Sequence, residues 1–136
     1  MKEYLTKFEK GKYAIGDLCY IIRDSELWDK VCDKYFSREF KGKFDIPELP
    51  EMWEHHTFWG DGFYPLIQKG KTIQCLPVDS GTMGIIKIDD KFNDLLLDEK
   101  LEIGSENIIL EFEKNFDVYY ENGIFYIDDL TILTND

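Results

Sequence analysis

Short runs in which apolar and polar residues alternate, separated by Gly-bearing turns, recur along most of the chain. A period of two predicts β-strands, and short turns between them predict antiparallel order. Tyr4-Leu5-Thr6-Lys7-Phe8 reads as an edge strand, and a Lys10-Gly11-Lys12 turn leads to a second strand through Tyr13 and Ile15. The Gly16-Asp17 corner then enters a short apolar strand, Cys19 to Ile22. Further strands are expected at His56 to Trp59, Phe63 to Ile67, Thr72 to Leu76, Ile85 to Ile88, Asn107 to Phe112, Phe116 to Tyr120, Ile124 to Ile127 and Leu130 to Leu133. Asn122-Gly123 is the sharpest hairpin signal, because a two-residue turn with both φ positive favours this pair. Centred there, the turn sets Tyr120 opposite Phe125 and Val118 opposite Ile127. Phe116, Val118, Tyr120, Phe125 and Ile127 then share a core face.

The period changes once, decisively. Leu27, Trp28, Val31, Cys32, Tyr35 and Phe36 recur at helical spacing, Asp24 or Ser25 is placed to cap the N-terminus, and Glu26 suits the positive end of the helix dipole. The Asp24 to Phe36 segment is therefore an amphipathic helix, and its Trp28 and Tyr35 stripe reads as core. Ser37 to Trp53, with Pro47 and Pro50, fits neither period and reads as a surface excursion; its Ile46, Leu49, Met52 and Trp53 cover the core edge or wall a pocket. Asp89 to Leu101 is acidic and suggests a short helix. The expected fold class is α+β, mainly β: a curved antiparallel sheet or partly closed barrel of six to eight strands with one packed amphipathic helix. Residues 1–136 form a single domain.

Charge narrows the function classes. The net charge is −12, and it is unevenly spread: residues 1–88 carry 14 acidic and 13 basic side chains, residues 89–136 carry 14 and 3. Binding to nucleic acid draws on basic side chains that release counterions, so direct nucleic-acid binding is disfavoured. Cys19, Cys32 and Cys75 lie in apolar contexts without a Cys-x-x-Cys spacing and read as buried, reduced, structural thiols. The chain opens without an apolar signal core and holds no run of membrane-span length, so a cytoplasmic protein with no membrane association is expected.

The candidate chemistry sits at three Gly/Asp corners: Gly16-Asp17, Gly60-Asp61-Gly62, and Asp79-Ser80-Gly81 with Thr82 before Gly84. Glycine lets a backbone or ligand approach closely, and Asp, Ser and Thr bond nearby amides. The plain interpretation is a set of self-capped turns, Gly60-Asp61-Gly62 being a hairpin turn. The functional one gathers the corners at a common sheet end, with Asp17, Asp61, Asp79, Ser80 and Thr82 as polar ligand contacts and Tyr20, Trp59 and Tyr64 as stacking faces. Catalysis is less well supported. His55 and His56 are adjacent and alternate across a strand, and no established metal or nucleophile spacing occurs. No catalytic residue, metal ligand or cofactor is assigned.

Gly16-Asp17-Leu18-Cys19-Tyr20 followed by the Trp28 helix, Gly60-Asp61-Gly62, Val78-Asp79-Ser80-Gly81 with Gly84-Ile85, and Phe116-x-Val118-x-Tyr120-x-x-Gly123-x-Phe125 together resemble a family of short, largely uncharacterised bacterial and bacteriophage proteins. The family more often has Pro where this chain has Leu18. The resemblance implies a phage or mobile-element setting and no activity. The expected function is a non-enzymatic binding protein, of an anti-defence kind, that sequesters a small nucleotide-like signal in an aromatic, glycine-cornered pocket. The alternatives are an acidic inhibitor of immunity or DNA-mimic type with a basic protein partner, and a small hydrolase using His and Asp. Association into a homo-oligomer is left open.

Overall fold

The computed structural model describes residues 1–135, and in it the chain folds into two antiparallel sheets and two α-helices. The strands are β1 (Glu3–Phe8), β2 (Gly11–Gly16), β3 (Lys43–Phe44), β4 (Met52–His56), β5 (Gly62–Gln68), β6 (Lys71–Val78), β7 (Thr82–Lys87), β8 (Asn107–Phe112), β9 (Phe116–Glu121), β10 (Ile124–Ile127) and β11 (Leu130–Leu133). The helices are α1 (Ser25–Tyr35) and α2 (Asp90–Leu97). The first sheet runs β1-β9-β10-β11-β5-β6 and the second β3-β4-β7-β2-β8. The mainly β, α+β expectation holds. The strands are more numerous than expected and divide between two open sheets.

Two cores give the molecule three layers. Between the sheets lie Phe8, Leu66, Leu76, Val118, Phe125 and Ile132 from the first and Tyr13, Ile15, Trp53, Met83 and Ile85 from the second. Alternation sends the intervening residues of the second sheet, Ala14, Met52 and Ile86, to its other face. There they pack with Leu27 and Val31 of α1, Phe92 of α2, and Leu18, Ile21 and Leu49. Asp24 caps α1 by accepting from the Leu27 amide at 3.0 Å, and Asp89 caps α2 by accepting from the Phe92 amide at 2.9 Å. The Asn122-Gly123 turn has φ of 51° and 84°, and Tyr120 pairs with Phe125 and Val118 with Ile127, as the hairpin signal requires.

Several local expectations are corrected. The apolar run after Asp17 forms a single 3-10 turn, Leu18–Tyr20, because the Asp17 carboxylate caps it through the Cys19 amide at 3.0 Å. The strand expected at His56 to Trp59 lies earlier, as β4, and so takes its first residues from the supposed excursion. Gly60-Asp61-Gly62 joins β4 to β5 and is a crossing between sheets, where a hairpin turn was expected. The cysteines are free but not buried: Cys19 and Cys32 are half-buried, and Cys75 is exposed because its neighbour Leu76 takes the inward position. Among the described residues no helix is long and apolar enough to cross a membrane.

Candidate functional site

All three Gly/Asp corners lie at one end of the sandwich. Asp79-Ser80-Gly81 carries the chain from β6 in the first sheet to β7 in the second, and Gly60-Asp61-Gly62 carries it the other way from β4 to β5. Gly16 closes β2 and pairs with Gly84 of β7. The Thr57 amide donates to the Gly81 carbonyl at 3.0 Å, and a Cβ on Gly81 would lie 3.9 Å from Asp61 Oδ1, so the two crossings are neighbours.

Asp17 fastens this end. Its side chain is fully buried; Oδ2 accepts from the amides of Asp79 at 2.7 Å and Ser80 at 2.8 Å, while Oδ1 accepts from the Cys19 amide and from Ser80 Oγ at 2.7 Å. With four donors on two oxygens, Asp17 is a brace between the first and third corners and has no lone pair aimed at a ligand. Tyr64 likewise turns inward, its ring in the inter-sheet core and its hydroxyl donating to the Gly60 carbonyl at 2.9 Å. Trp59 is 65% exposed and packs edge-on against Phe58, and Asp61 is exposed. Tyr20 and Asp79 border a shallow cleft with Arg23 and Trp28. Of the eight residues singled out from sequence, Ser80 and Thr82 alone reach the cavity described next.

That cavity, of about 250 Å³, lies under the C-terminal half of α1 and is lined by Trp28, Cys32, Tyr35, Phe36, Glu54, Ser80 and Thr82. The helical stripe read as core thus splits: Leu27 and Val31 are buried, whereas Trp28, Cys32 and Tyr35 are half-buried along the cavity wall. Glu54 forms its floor. On β4, Met52 and Glu54 face the helices while Trp53 and His55 face the first sheet. Glu54 is 2% exposed, its Oε2 lies 3.0 Å from Thr82 Oγ1, and no cation pairs with it among the described residues. Burial pushes its pKa up to about 8, with the Asp17 charge adding to the rise and the Thr82 hydrogen bond opposing it. The Thr82 contact through Oε2 is the one side-chain hydrogen bond of Glu54 among the described residues, and the residue lines the cavity.

Space for this carboxyl comes from a row across the second sheet, Glu54, Gly84, Gly16 and Asn107, in which each residue pairs with the next. A Cβ on Gly84 would lie 2.1 Å from the Trp53 carbonyl oxygen and 2.9 Å from Glu54 Cβ. At the far end of the row the buried side-chain amide of Asn107 has no hydrogen-bond partner among the described residues.

From Asp17 a string of close oxygens leads to the cavity. Ser80 Oγ is 2.7 Å from Asp17 Oδ1 and 2.7 Å from Thr82 Oγ1, which in turn meets Glu54. Ser80 has no imidazole to take its proton, because His55 points to the opposite face of β4. That ring stacks on Tyr120 with centroids 3.7 Å apart, places Nδ1 2.7 Å from the His56 carbonyl oxygen, and lies 3.3 Å from Glu3 through Nε2. The His55 and His56 rings nevertheless come within 4.2 Å at the end of β4, closer than strand alternation predicts, because His56 is the last strand residue. Among the described residues no group of three or more His, Cys, Asp or Glu is placed to hold a metal ion.

Glu54 escaped the sequence reading because a lone acid beside Trp53 and two histidines has no motif value. The available signal was Glu54 two residues after Met52, on the face of β4 that packs toward the helices, which requires β4 to be placed first. No family model, no curated protein and no solved structure matches the chain.

Proposed function

We propose that the protein is a non-enzymatic binding protein and that its ligand is a small planar molecule seated in the Glu54 cavity. The observation that carries this reading is a buried carboxyl with a single side-chain hydrogen bond at the floor of a cleft bordered by Trp28, Tyr35 and Phe36. Aromatic walls around a few placed polar groups are the usual composition of a small-molecule site. A volume of about 250 Å³ is below the ~300–1,000 Å³ of drug-sized pockets, which fits one ring system of nucleobase size. A nucleotide's phosphate would meet no cation on this floor. No lysine or arginine lines the cavity, so only the base of a nucleotide-like ligand matches it. The motif resemblance supports a phage-type setting, in which such a pocket sequesters a host signal.

The acidic-inhibitor reading has less support. The acids of the C-terminal third are divided: Glu111, Glu113, Asp128 and Asp129 share one cleft, whereas Asp90 and Asp94 lie on α2 and Asp117 and Glu121 on β9. A hydrolase reading lacks an imidazole next to Ser80, whose hydroxyl is held by the buried Asp17 brace.

Ligand-observed NMR screening of planar fragments tests the proposal. Hits are expected to compete for one site and to lose binding in Tyr35→Leu and Thr82→Val variants that keep the wild-type melting temperature within a few degrees. Hits that persist in both variants, or no hits at all, would remove the cavity as the site.

A further inference from the structure

The three oxygen contacts between Asp17 and Glu54 do not balance unless one more proton is present. Asp17–Ser80, Ser80–Thr82 and Thr82–Glu54, at 2.7, 2.7 and 3.0 Å, each need a hydrogen between the oxygens, and the two hydroxyls supply two. Asp17 is not the source of the third. Its oxygens already accept three amide N–H groups and the Ser80 hydroxyl, two donors on each oxygen. The missing proton therefore belongs to Glu54. With that proton on Glu54 the Thr82 bond reverses from the direction it takes toward a carboxylate, and the string runs from Glu54 to Thr82, Thr82 to Ser80, and Ser80 to Asp17.

We propose that the cavity takes a small organic cation, an amidinium or ammonium carried on a flat apolar body, which displaces the proton that Glu54 holds in the free protein. This rests on the cavity being the ligand site and names the chemistry of its occupant. Glu54 lines the cavity with one side-chain hydrogen bond and no cation paired with it among the described residues, and Trp28, Tyr35 and Phe36 supply three aromatic rings around it. The protein's charge of −12 adds a long-range field that concentrates cations. On binding, the ligand N–H donates to Glu54 Oε1, the carboxyl proton passes to solvent, and the ion pair forms in the space the neutral acid occupied. Thr82 then turns its hydroxyl proton toward Glu54, Ser80 keeps donating to Asp17 Oδ1, and the contact between the two hydroxyls gives up its hydrogen and relaxes. The other titratable groups around Glu54 are Asp17 at the end of β2, Asp79 on the corner, Cys32 and Tyr35 on α1, and His56 at the end of β4. Burial raises both the Cys32 and Tyr35 values, leaving them neutral across the range of the test.

Benzamidine and its neutral isostere benzamide separate the possibilities by isothermal titration calorimetry between pH 5.5 and 7.5, in buffers of different ionisation heat. Benzamidine is expected to bind at least tenfold tighter than benzamide, with affinity rising close to tenfold per pH unit and about one proton released. Glu54→Gln keeps a donor toward Thr82 and so keeps the hydroxyl string. It is expected to melt like wild type at pH 5.5, bind the two compounds equally, and lose the pH dependence. Equal affinities in the wild-type protein, no proton release, or unchanged benzamidine binding in Glu54→Gln would overturn the cation assignment while leaving the cavity as a neutral-ligand site. Failure of both compounds to bind would overturn the assignment, and the fragment screen then decides the cavity reading separately.

Discussion

Glu54 and His55 are consecutive, face opposite layers, and respond to burial in opposite directions. Glu54 holds its proton more tightly folded than unfolded, its value being raised from 4.5 to about 8. It contributes stability that is fully present below pH 4.5 and lost as pH rises through about 8. At about 1.4 kcal/mol per pKa unit the loss is of order 3–5 kcal/mol over that window. For His55 desolvation lowers the value from 6.5, so its contribution is full above pH 6.5 and lost as pH falls toward the depressed value. Thermal melts from pH 4 to 9 are therefore expected to decline on both limbs. Glu54→Gln should flatten the alkaline limb, and His55→Phe the acid limb. If either substitution left its own limb unchanged, the slope would belong to other groups.

At the scale of elements, the sequence was most legible where local chemistry alone decides the shape. Asn122-Gly123 fixed both the turn and its register, and Asp24 with the 27-31-35 spacing fixed α1 to within a residue at either end. It was least legible where a side chain from elsewhere decides. Cys19 to Ile22 has strand composition, yet the Asp17 cap curls it into a 3-10 turn. Glu54 looks solvated until β4 is paired with Gly84 of β7. Two glycines test that account. At Gly84 φ is not positive but a Cβ meets backbone at 2.1 Å, so Gly84→Ala should cost several kcal/mol, about 3 or more, or prevent folding. Gly60 has φ of 83° and nothing within 4 Å, so Gly60→Ala should cost only backbone strain, about 1–2 kcal/mol. Urea unfolding compares the two, and equal costs would contradict the packing argument for Gly84.

For the molecule as a whole, alternation along a strand says which residues face a core but not which of two sheets the strand joins. That is why the strands were read as one curved sheet and why the sheet-changing corners passed for hairpin turns. Nor does alternation pair distant strands. Phe8 on β1 is fully buried and stacks on Phe116 of β9 with centroids 5.8 Å apart. Truncation to Ala should cost about 3–5 kcal/mol in chemical denaturation, the range for a buried aromatic. Hydrogen exchange should quicken along β9 ahead of β7 if the loss is confined to the first sheet; uniform acceleration would mean that the two sheets open together.

The pairing of β1 with β9 also sets an order in time. The Lys10 amide meets Asn115 Oδ1 across 105 residues of sequence, and β9, β10 and β11 separate β1 from β5 in the first sheet. During synthesis at about 5–20 residues per second, the first strand is made roughly 5–20 s before its partner exists. A nascent chain therefore carries Phe8 uncovered until nearly all of the sequence has left the ribosome. Completion of the first sheet is a late event in the life of the chain, and any factor that shields nascent apolar segments would act on β1 first.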